Sequence, residues 1–270
     1  MTEIQEPIPE ELNYEANQPT TSQWVIIAAI GLFALCSIIV FLAGGYFTAT
    51  SFLEDRNIHA TETAAAATAV VAAKEQAIRA AATWPLVLLD PFNNNDNEWV
   101  EGVVNDEYAD ITVTINGVYT WETKAKQGFV WWVWPTSDPT SDFYLAVDVQ
   151  NQSDNRDAPY GLLFRYSDET EAYNYLEIHD TQYFSVWNYD LGEWTELIPS
   201  ALSTAIRSGE NNHLEVIAQR DYFYFLINGE IVGETTISNP SEGYAGVAIG
   251  LSYKGEESTI VFDNFELRAP

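Results

Sequence analysis

Cysteine and basic residues are scarce in this sequence. One cysteine, Cys36, occurs in 270 residues, so neither a disulfide framework nor a cysteine-based metal site can form within one chain. Eleven Lys and Arg stand against 40 Asp and Glu, which gives a formal charge of -29. We therefore expect no nucleic-acid partner, because binding a polyanion depends on cationic side chains that neutralise phosphates. The acidity is more typical of a solubilising surface on an exposed domain.

Signatures of catalysis and metal binding are also missing. Gly-x-Ser-x-Gly is absent, no loop has EF-hand spacing, and the three histidines, His59, His179 and His213, are scattered. We expect no catalytic residues, no metal and no cofactor from these patterns. One alternative stays open: the Asp-rich loop at residues 154–157, or Asp90 near Asp263, offers oxygens to a structural calcium ion, or Asp263 serves as a side-chain acceptor within the fold.

Charge is absent from one long stretch, and that stretch predicts a membrane anchor. No charged side chain lies between Glu15 and Glu54, and Trp24 to Phe47 is almost entirely apolar. Such a run is long enough to cross a bilayer as a helix. A cleaved signal peptide has a basic segment before its apolar run, whereas the charged residues before Trp24 are all acidic. The one nearby basic residue, Arg56, would place the C-terminus inside, but long domains translocate regardless of charge. We expect a cell-membrane protein, with residues 23–48 as its single transmembrane helix and the C-terminal domain outside.

Two segments of different character flank the anchor. Residues 1–22 are acidic and poor in large apolar groups, which predicts a disordered tail. Residues 49–84 are rich in alanine, with acidic residues early and basic residues late, which predicts a helical stalk of low amphipathicity that is not buried in a core. Trp84-Pro85 ends this segment.

Residues 85–270 show the two-residue alternation of strands. In Phe143 to Val149, for example, every second residue is large and apolar. Asn116-Gly117 and Asn228-Gly229 stand between such runs, and each predicts a tight type I′ hairpin. About twelve short strands with polar turns predict an all-β fold, an antiparallel two-sheet jelly-roll sandwich.

Several runs in this part of the chain resemble a known superfamily. They are Leu89-Asp90-Pro91-Phe92, Tyr160 to Arg165, Asn174 to Ile178, Phe225 to Gly229 and the closing Val261 to Leu267. Their order is similar to the concanavalin A-like lectin/glucanase superfamily, above all to its laminin-G-like and DUF1080-type (3-keto-disaccharide hydrolase) modules. The resemblance implies a jelly roll whose curved sheet often binds glycans, and in some relatives a structural ion. Fold alone does not decide function.

Hydrolysis by this superfamily would require paired carboxylates, which alternate along one strand as Glu-x-Asp-x-(x)-Glu. No stretch here matches that pattern. Glu177 and His179 are the nearest candidates, since they share one face of a strand. The alternative for this pair is an ordinary solvent-facing stripe.

A binding face can be constructed from alternation. If Leu162, Phe164, Leu176, Ile178, Phe184 and Val186 face the core, the residues between them face away and share a surface wherever their strands are neighbours. Sugars bind to aromatic rings through their apolar faces, while charged and amide groups fix their hydroxyls. The alternative is that the aromatic residues fill the sandwich, as we expect for Trp99 and Trp121. Trp131, Trp132 and Trp134 place aromatic side chains on both faces of one strand, and one of those strand faces must be exposed or covered by a loop. The predicted ligand-binding residues are Arg165, Tyr175, Glu177, His179, Trp187, Asn188, Tyr189 and Trp194.

Three functions follow as hypotheses. The first is a membrane-anchored, surface-displayed module that binds a glycan or mediates adhesion without catalytic machinery. The second is a glycoside or keto-sugar hydrolase that depends on Glu177. The third is a structural or sensory ectodomain that contacts another protein.

Overall fold

The computed structural model describes residues 65–270. The predicted tail, the transmembrane segment and the first part of the stalk lie outside the described residues. Within the described range, no helix combines the length and the apolar character needed to cross a bilayer. Residues 65–81 are helical, and Ala72–Pro270 form one compact unit.

Two antiparallel sheets make up the rest of this unit, and the described residues contain fifteen strands. The larger sheet has nine strands in the order β13-β12-β11-β6-β15-β4-β3-β2, with β1 paired to β15. Its strands are β1 (Leu86–Asp90), β2 (Gly102–Asn105), β3 (Ala109–Ile115), β4 (Tyr119–Ala125), β6 (Phe143–Asn151), β11 (Asn212–Gln219), β12 (Tyr222–Ile227), β13 (Glu230–Thr236) and β15 (Glu257–Arg268).

The smaller sheet has six strands in the order β10-β9-β8-β7-β14-β5. They are β5 (Phe129–Val133), β7 (Tyr160–Tyr166), β8 (Tyr173–Ile178), β9 (Tyr183–Asp190), β10 (Glu193–Leu202) and β14 (Tyr244–Leu251). The predicted two-sheet antiparallel sandwich is confirmed for this part of the chain. Strand number is higher than expected, because strands such as β10, which contains Pro199, lack a clear apolar alternation.

The main core lies between the two sheets. Each of the apolar residues that alternation assigned to it is buried there, from Leu162 and Phe164 on β7 to Val186 on β9. Trp99 and Trp121 belong to the same core, as expected from their sequence context. Burial of this apolar surface stabilises the sandwich by about 25 cal/mol per Å².

The two predicted hairpins differ in structure. Asn228 and Gly229 both have positive φ and join the paired residues Ile227 and Glu230, as a type I′ turn requires. At the other site, the loop between Ile115 and Tyr119 has three residues, and of the Asn-Gly pair only the glycine has positive φ. The type I′ prediction for Asn116-Gly117 is therefore wrong, because one extra residue in the loop changes its geometry.

The C-terminal end of the predicted stalk packs on the sandwich. Ala81 is fully buried against the outer surface of the nine-stranded sheet, where it meets Tyr144, Ile217 and Tyr224. The expectation of a stalk without burial is wrong for this end. Small alanine side chains allow a helix to approach a sheet closely without an obvious amphipathic stripe.

Candidate functional site

The outer face of the six-stranded sheet carries an aromatic surface. Its residues alternate with the core residues of the same strands, and β7, β8 and β9 are neighbours, as the prediction required. We call this surface the aromatic face. It is formed by Trp132 on β5, Tyr173 and Tyr175 on β8, Trp187 and Tyr189 on β9, and Trp194 on β10.

Trp194 holds the aromatic face together at the edge of the sheet. Its ring centroid lies 5.1 Å from Tyr189, 5.6 Å from Tyr173 and 6.1 Å from Trp187, and it stands at right angles to the Trp187 ring. Tyr173 and Tyr189 stack at 5.0 Å on adjacent strands. These separations lie in the range of favourable aromatic pairs. With 42% of its surface exposed, Trp194 still offers a ring to a ligand.

Small residues lie at the centre of the six-stranded sheet, between Trp132 on β5 and the aromatic residues of β8, β9 and β10. Gly161 on β7, and Ala248 and Gly250 on β14, occupy outward positions of the central strands. Tyr175 extends toward them, and its hydroxyl lies 3.4 Å from the carbonyl of Ala248. Burial raises the pKa of Tyr175 well above its ordinary value, so this hydroxyl stays protonated. The small residues therefore leave room for the Tyr175 side chain at the centre of the sheet.

Two adjoining cavities border the aromatic face. The smaller has a volume of about 320 Å³ and the larger about 780 Å³. They share Phe129, Val130, Trp194, Leu251 and Ser252. The smaller cavity is completed by Pro159, Tyr175, Glu177, His179, Trp187 and Gly250. The larger cavity is completed by residues of the sheet and of nearby loops and strands: Asp106, Tyr108, Ala109, Ile111, Gly128, Trp131, Trp132, Tyr173, Tyr189 and Tyr253.

Glu177 is fixed within the smaller cavity by two neighbours on β9. The Ser185 hydroxyl donates a hydrogen bond of 2.6 Å to its Oε1, and the indole N–H of Trp187 donates one of 2.8 Å to the same atom. The carboxylate thereby sets the orientation of the Trp187 ring. Such charge-assisted bonds are roughly twice as strong as neutral ones, so the three side chains form a preorganised unit.

His179 stands beside Glu177 in the same cavity. Its Nδ1 donates to the carbonyl of Asp157 at 2.8 Å, which leaves Nε2 facing Glu177 Oε1 at 3.6 Å. Burial alone would lower the pKa of His179. The hydrogen bond and charge of Glu177 outweigh that effect, and the pKa lies above its ordinary value.

Arg165 does not belong to this site, and its predicted exposure on the sheet surface is wrong. It has positive φ, and the pairing of β7 with β14 shifts register next to it. This bulge turns the side chain inward, where it is 1% exposed and lies 4.6 Å from the Phe223 ring in the core. A one-residue bulge reverses the alternation from which the prediction was made.

Asn188 also lies on the opposite side of the sheet from the aromatic face. Its amide donates to Oδ1 of the buried Asn174 at 3.1 Å and to the carbonyl of Asn239 at 3.3 Å. It therefore ties β9 to β8 and to a loop. Alternation from Trp187 assigns position 188 to the inner side of the strand, so the prediction of Asn188 at the binding face is wrong.

The structure brings together the other six predicted residues, Tyr175, Glu177, His179, Trp187, Tyr189 and Trp194. It adds a second wall that the prediction lacked, formed by Phe129, Val130 and Trp132 of β5 and by the end of β14. The three clustered tryptophans were a partial signal for it. Trp131 packs on the core, Trp132 lies on the aromatic face, and Trp134 stacks on Tyr166 and Tyr244.

Two of the acidic residues considered for calcium, Asp90 and Asp263, have protein partners. Asp90 is buried and accepts hydrogen bonds from the backbone of Phe92 and the side chains of Asn97 and Trp99. Asp263 accepts from the backbone of Asn264. In the described range, no three His, Cys, Asp or Glu side chains are grouped as a metal site.

Comparisons with known proteins were made for the sequence and for the fold. No family model and no curated protein matches the chain. The carbohydrate-binding module CBM66 from Bacillus subtilis aligns with 63% of this chain and 95% of its own, at 18% identity and a TM-score of 0.48. The catalytic domain of an endo-1,3-β-glucanase from Thermotoga petrophila aligns with 69% and 98%, at 11% identity and 0.48.

A β-glucanase from Bacillus licheniformis aligns with 69% of this chain and 99% of its own, at 14% identity and a TM-score of 0.47. None of the three is a DUF1080-type module. Because their TM-scores are below 0.5, they carry no argument about a ligand. The function is argued from the aromatic face itself.

Proposed function

We propose that the aromatic face binds a carbohydrate chain. The observation that carries this proposal is the smaller cavity, where the rings of Trp187 and Trp194 stand at right angles beside the polar pair Glu177 and His179. Aromatic rings accept the apolar faces of sugars, and a few fixed polar groups recognise hydroxyls. The adjoining larger cavity gives room for further sugar units.

Binding is favoured over hydrolysis by the composition of the smaller cavity. Glycoside hydrolysis commonly uses two carboxyl groups about 5 to 9.5 Å apart. Among the described residues that line the smaller cavity, Glu177 is the one carboxylate. Its oxygen Oε1 is engaged by Ser185 and Trp187, which suits a positioning role. Turnover of a bound glycan that disappears in Glu177→Gln would support the hydrolase hypothesis instead.

A glycan array tests the proposal. The full chain is applied in a detergent without a sugar headgroup, because residues 24–47 are strongly apolar. We expect retention on at least one glycan class, reduced at least about 5-fold in Trp187→Ala and Trp194→Ala, since loss of an aromatic platform costs about 1 kcal/mol or more. Tyr183→Ala is the matched control, because Tyr183 is an exposed aromatic residue on β9 that lines neither cavity.

Two results would contradict the proposal. One is no retention on any glycan, and the other is retention that both tryptophan variants keep. Crosslinking to a protein partner that survives excess sugar would favour the third hypothesis, a protein-contacting ectodomain.

The proposal extends to the location of the aromatic face. A transmembrane helix at residues 23–48 would hold it outside the cell, where glycans are accessible. An antibody against a C-terminal tag should then label intact cells, and labelling only after permeabilisation would reverse this orientation.

A further inference from the structure

The two cavities carry a negative charge bias. Their described lining residues include two carboxylates, Glu177 and Asp106, and one histidine, but no lysine or arginine. The whole chain has a formal charge of -29. A ligand that bears a negative charge would approach and bind against this field, whereas a cation would be attracted by it.

Glu177 keeps one oxygen for a ligand. Ser185 and Trp187 both donate to Oε1, and His179 also faces that atom. Oε2 receives none of these contacts. The side chain is 13% exposed and lines the smaller cavity, so a ligand can reach its second oxygen. A carboxylate oxygen forms its strongest hydrogen bonds with a cationic donor.

Aromatic rings surround this carboxylate. Trp187, Trp194, Tyr175 and Phe129 all line the smaller cavity. The negative faces of such rings attract an ammonium group, most strongly where water is excluded. Aromatic rings and a carboxylate in one small cavity therefore suit a protonated amine. A neutral hydroxyl would need neither the negative charge nor the ring faces.

We infer that the smaller cavity selects a sugar unit with a free amino group, so that the glycan bound by the aromatic face is a cationic amino-sugar chain. This inference rests on the proposed carbohydrate function and names its substrate class. The ammonium group would lie against Glu177 Oε2, and the sugar ring against Trp187. A glycan is favoured over a lysine-containing peptide because the larger cavity continues from the smaller one along aromatic rings.

His179 competes for the same carboxylate. When its imidazole is protonated, it pairs with Glu177 and weakens the attraction for a ligand cation. The ionisable groups that act on His179 are Glu177 on β8 and Asp157 in the loop before β7. Both raise its pKa above the ordinary value of about 6.5. Amine binding should therefore strengthen as the pH rises through the titration of His179, until the ligand amine itself loses its proton.

Three oligosaccharides with the same β-1,4 backbone test the inference. Hexamers of glucosamine, N-acetylglucosamine and glucose differ at C2 in an amine, an acetamide or a hydroxyl. We expect calorimetric titration of the full chain to give an affinity about 10-fold higher for the glucosamine hexamer, the size of one charge-assisted contact. Glu177→Gln keeps the shape of the side chain and should remove this preference. Glu196→Gln, on the exposed part of β10, is the matched control and should keep it.

A second measurement separates the roles of the charges. In His179→Gln, the preference for the amine should no longer change as the pH rises above about 6.5, where the wild-type preference should increase. A preference that survives in Glu177→Gln, or equal binding of the three hexamers, would overturn the inference while the carbohydrate function stands. Binding of none of them would also overturn it, and the glycan array then decides separately on the proposed function. Tighter binding of an oligolysine would assign the cavity to a basic peptide and overturn both.

Discussion

At the scale of single residues, Arg165 shows how one side chain can organise a set of loops. Its guanidinium donates to four backbone carbonyls in three separate parts of the chain, those of Ser141, Arg220, Ile237 and Pro240. These carbonyls belong to connections at one end of the sandwich. The charge is buried over Phe223, so its hydrogen bonds replace the water that it loses.

Arg165→Met should destabilise the protein strongly. The methionine has similar length but leaves the four carbonyls without their donor, and we expect a loss of about 3 to 5 kcal/mol in the free energy of unfolding. Urea denaturation followed by tryptophan fluorescence measures this loss. Arg79→Met is the control, because Arg79 forms an exposed i,i+4 pair with Glu75 and should change stability by less than about 0.5 kcal/mol. Equal effects of the two changes would contradict the structural role of Arg165.

Alternation located most residues of the aromatic face from sequence, and its failures have local causes. It separated Trp187 and Tyr175 from the core residues beside them, because their strands are regular from residue 173 to 178 and from 184 to 189. It failed at Arg165, where a bulge adds a residue, and nothing in the surrounding Leu-Phe-Arg-Tyr reports that bulge. Hydrogen-bond partners such as Ser185 and Glu177 follow only from strand register, which sequence does not give.

At the scale of elements, the packed end of the helix at residues 65–81 is the part that differs most from expectation. Ala77, Ile78 and Ala81 contact the outer surface of the nine-stranded sheet. The side chain of Gln219 on β11 donates to the carbonyl of Ala77 at 3.3 Å, and Lys74 pairs with Glu234 on β13 at 2.6 Å. This end of the helix is anchored to the sandwich on the sheet opposite the aromatic face.

Ala81→Glu should detach this end of the helix. The change places a carboxylate in a position that is fully buried against the sheet, where it has no cationic partner among the contacts described. Ala80→Glu is the matched control, because Ala80 is the exposed neighbour. Hydrogen exchange should become faster in residues 74–84 of the Ala81 variant alone, with protection of the sandwich strands retained. Unchanged exchange in both variants would contradict the docking of the helix.

Elements with strong alternation were predicted well, and elements that depend on distant partners were not. Strand β6, for example, has a large apolar residue at every second position from Phe143 to Val149 and was predicted from sequence. The second wall of the aromatic face depends on the pairing of β5 with β14, which are more than a hundred residues apart in the chain. No local pattern reports such a pairing. The side of the site formed by β8, β9 and β10 was therefore predicted, whereas the wall formed by β5 and the end of β14 was missed.

At the scale of the whole molecule, two different surfaces result from one sandwich. The nine-stranded sheet is covered in part by a helix, while the six-stranded sheet leaves its aromatic face accessible. The strong negative charge of the chain keeps polyanions away from that face. These features agree with the proposal that the aromatic face binds an uncharged or cationic chain of sugars.

The central claim is that the aromatic face is where the ligand binds. A crystal structure of the protein with the glycan selected on the array tests this claim most directly. We predict sugar rings packed on Trp187 and Trp194, with the first polar contacts to Glu177 and His179. A glycan on the outer surface of the nine-stranded sheet, or at the loops around Arg165, would contradict the account.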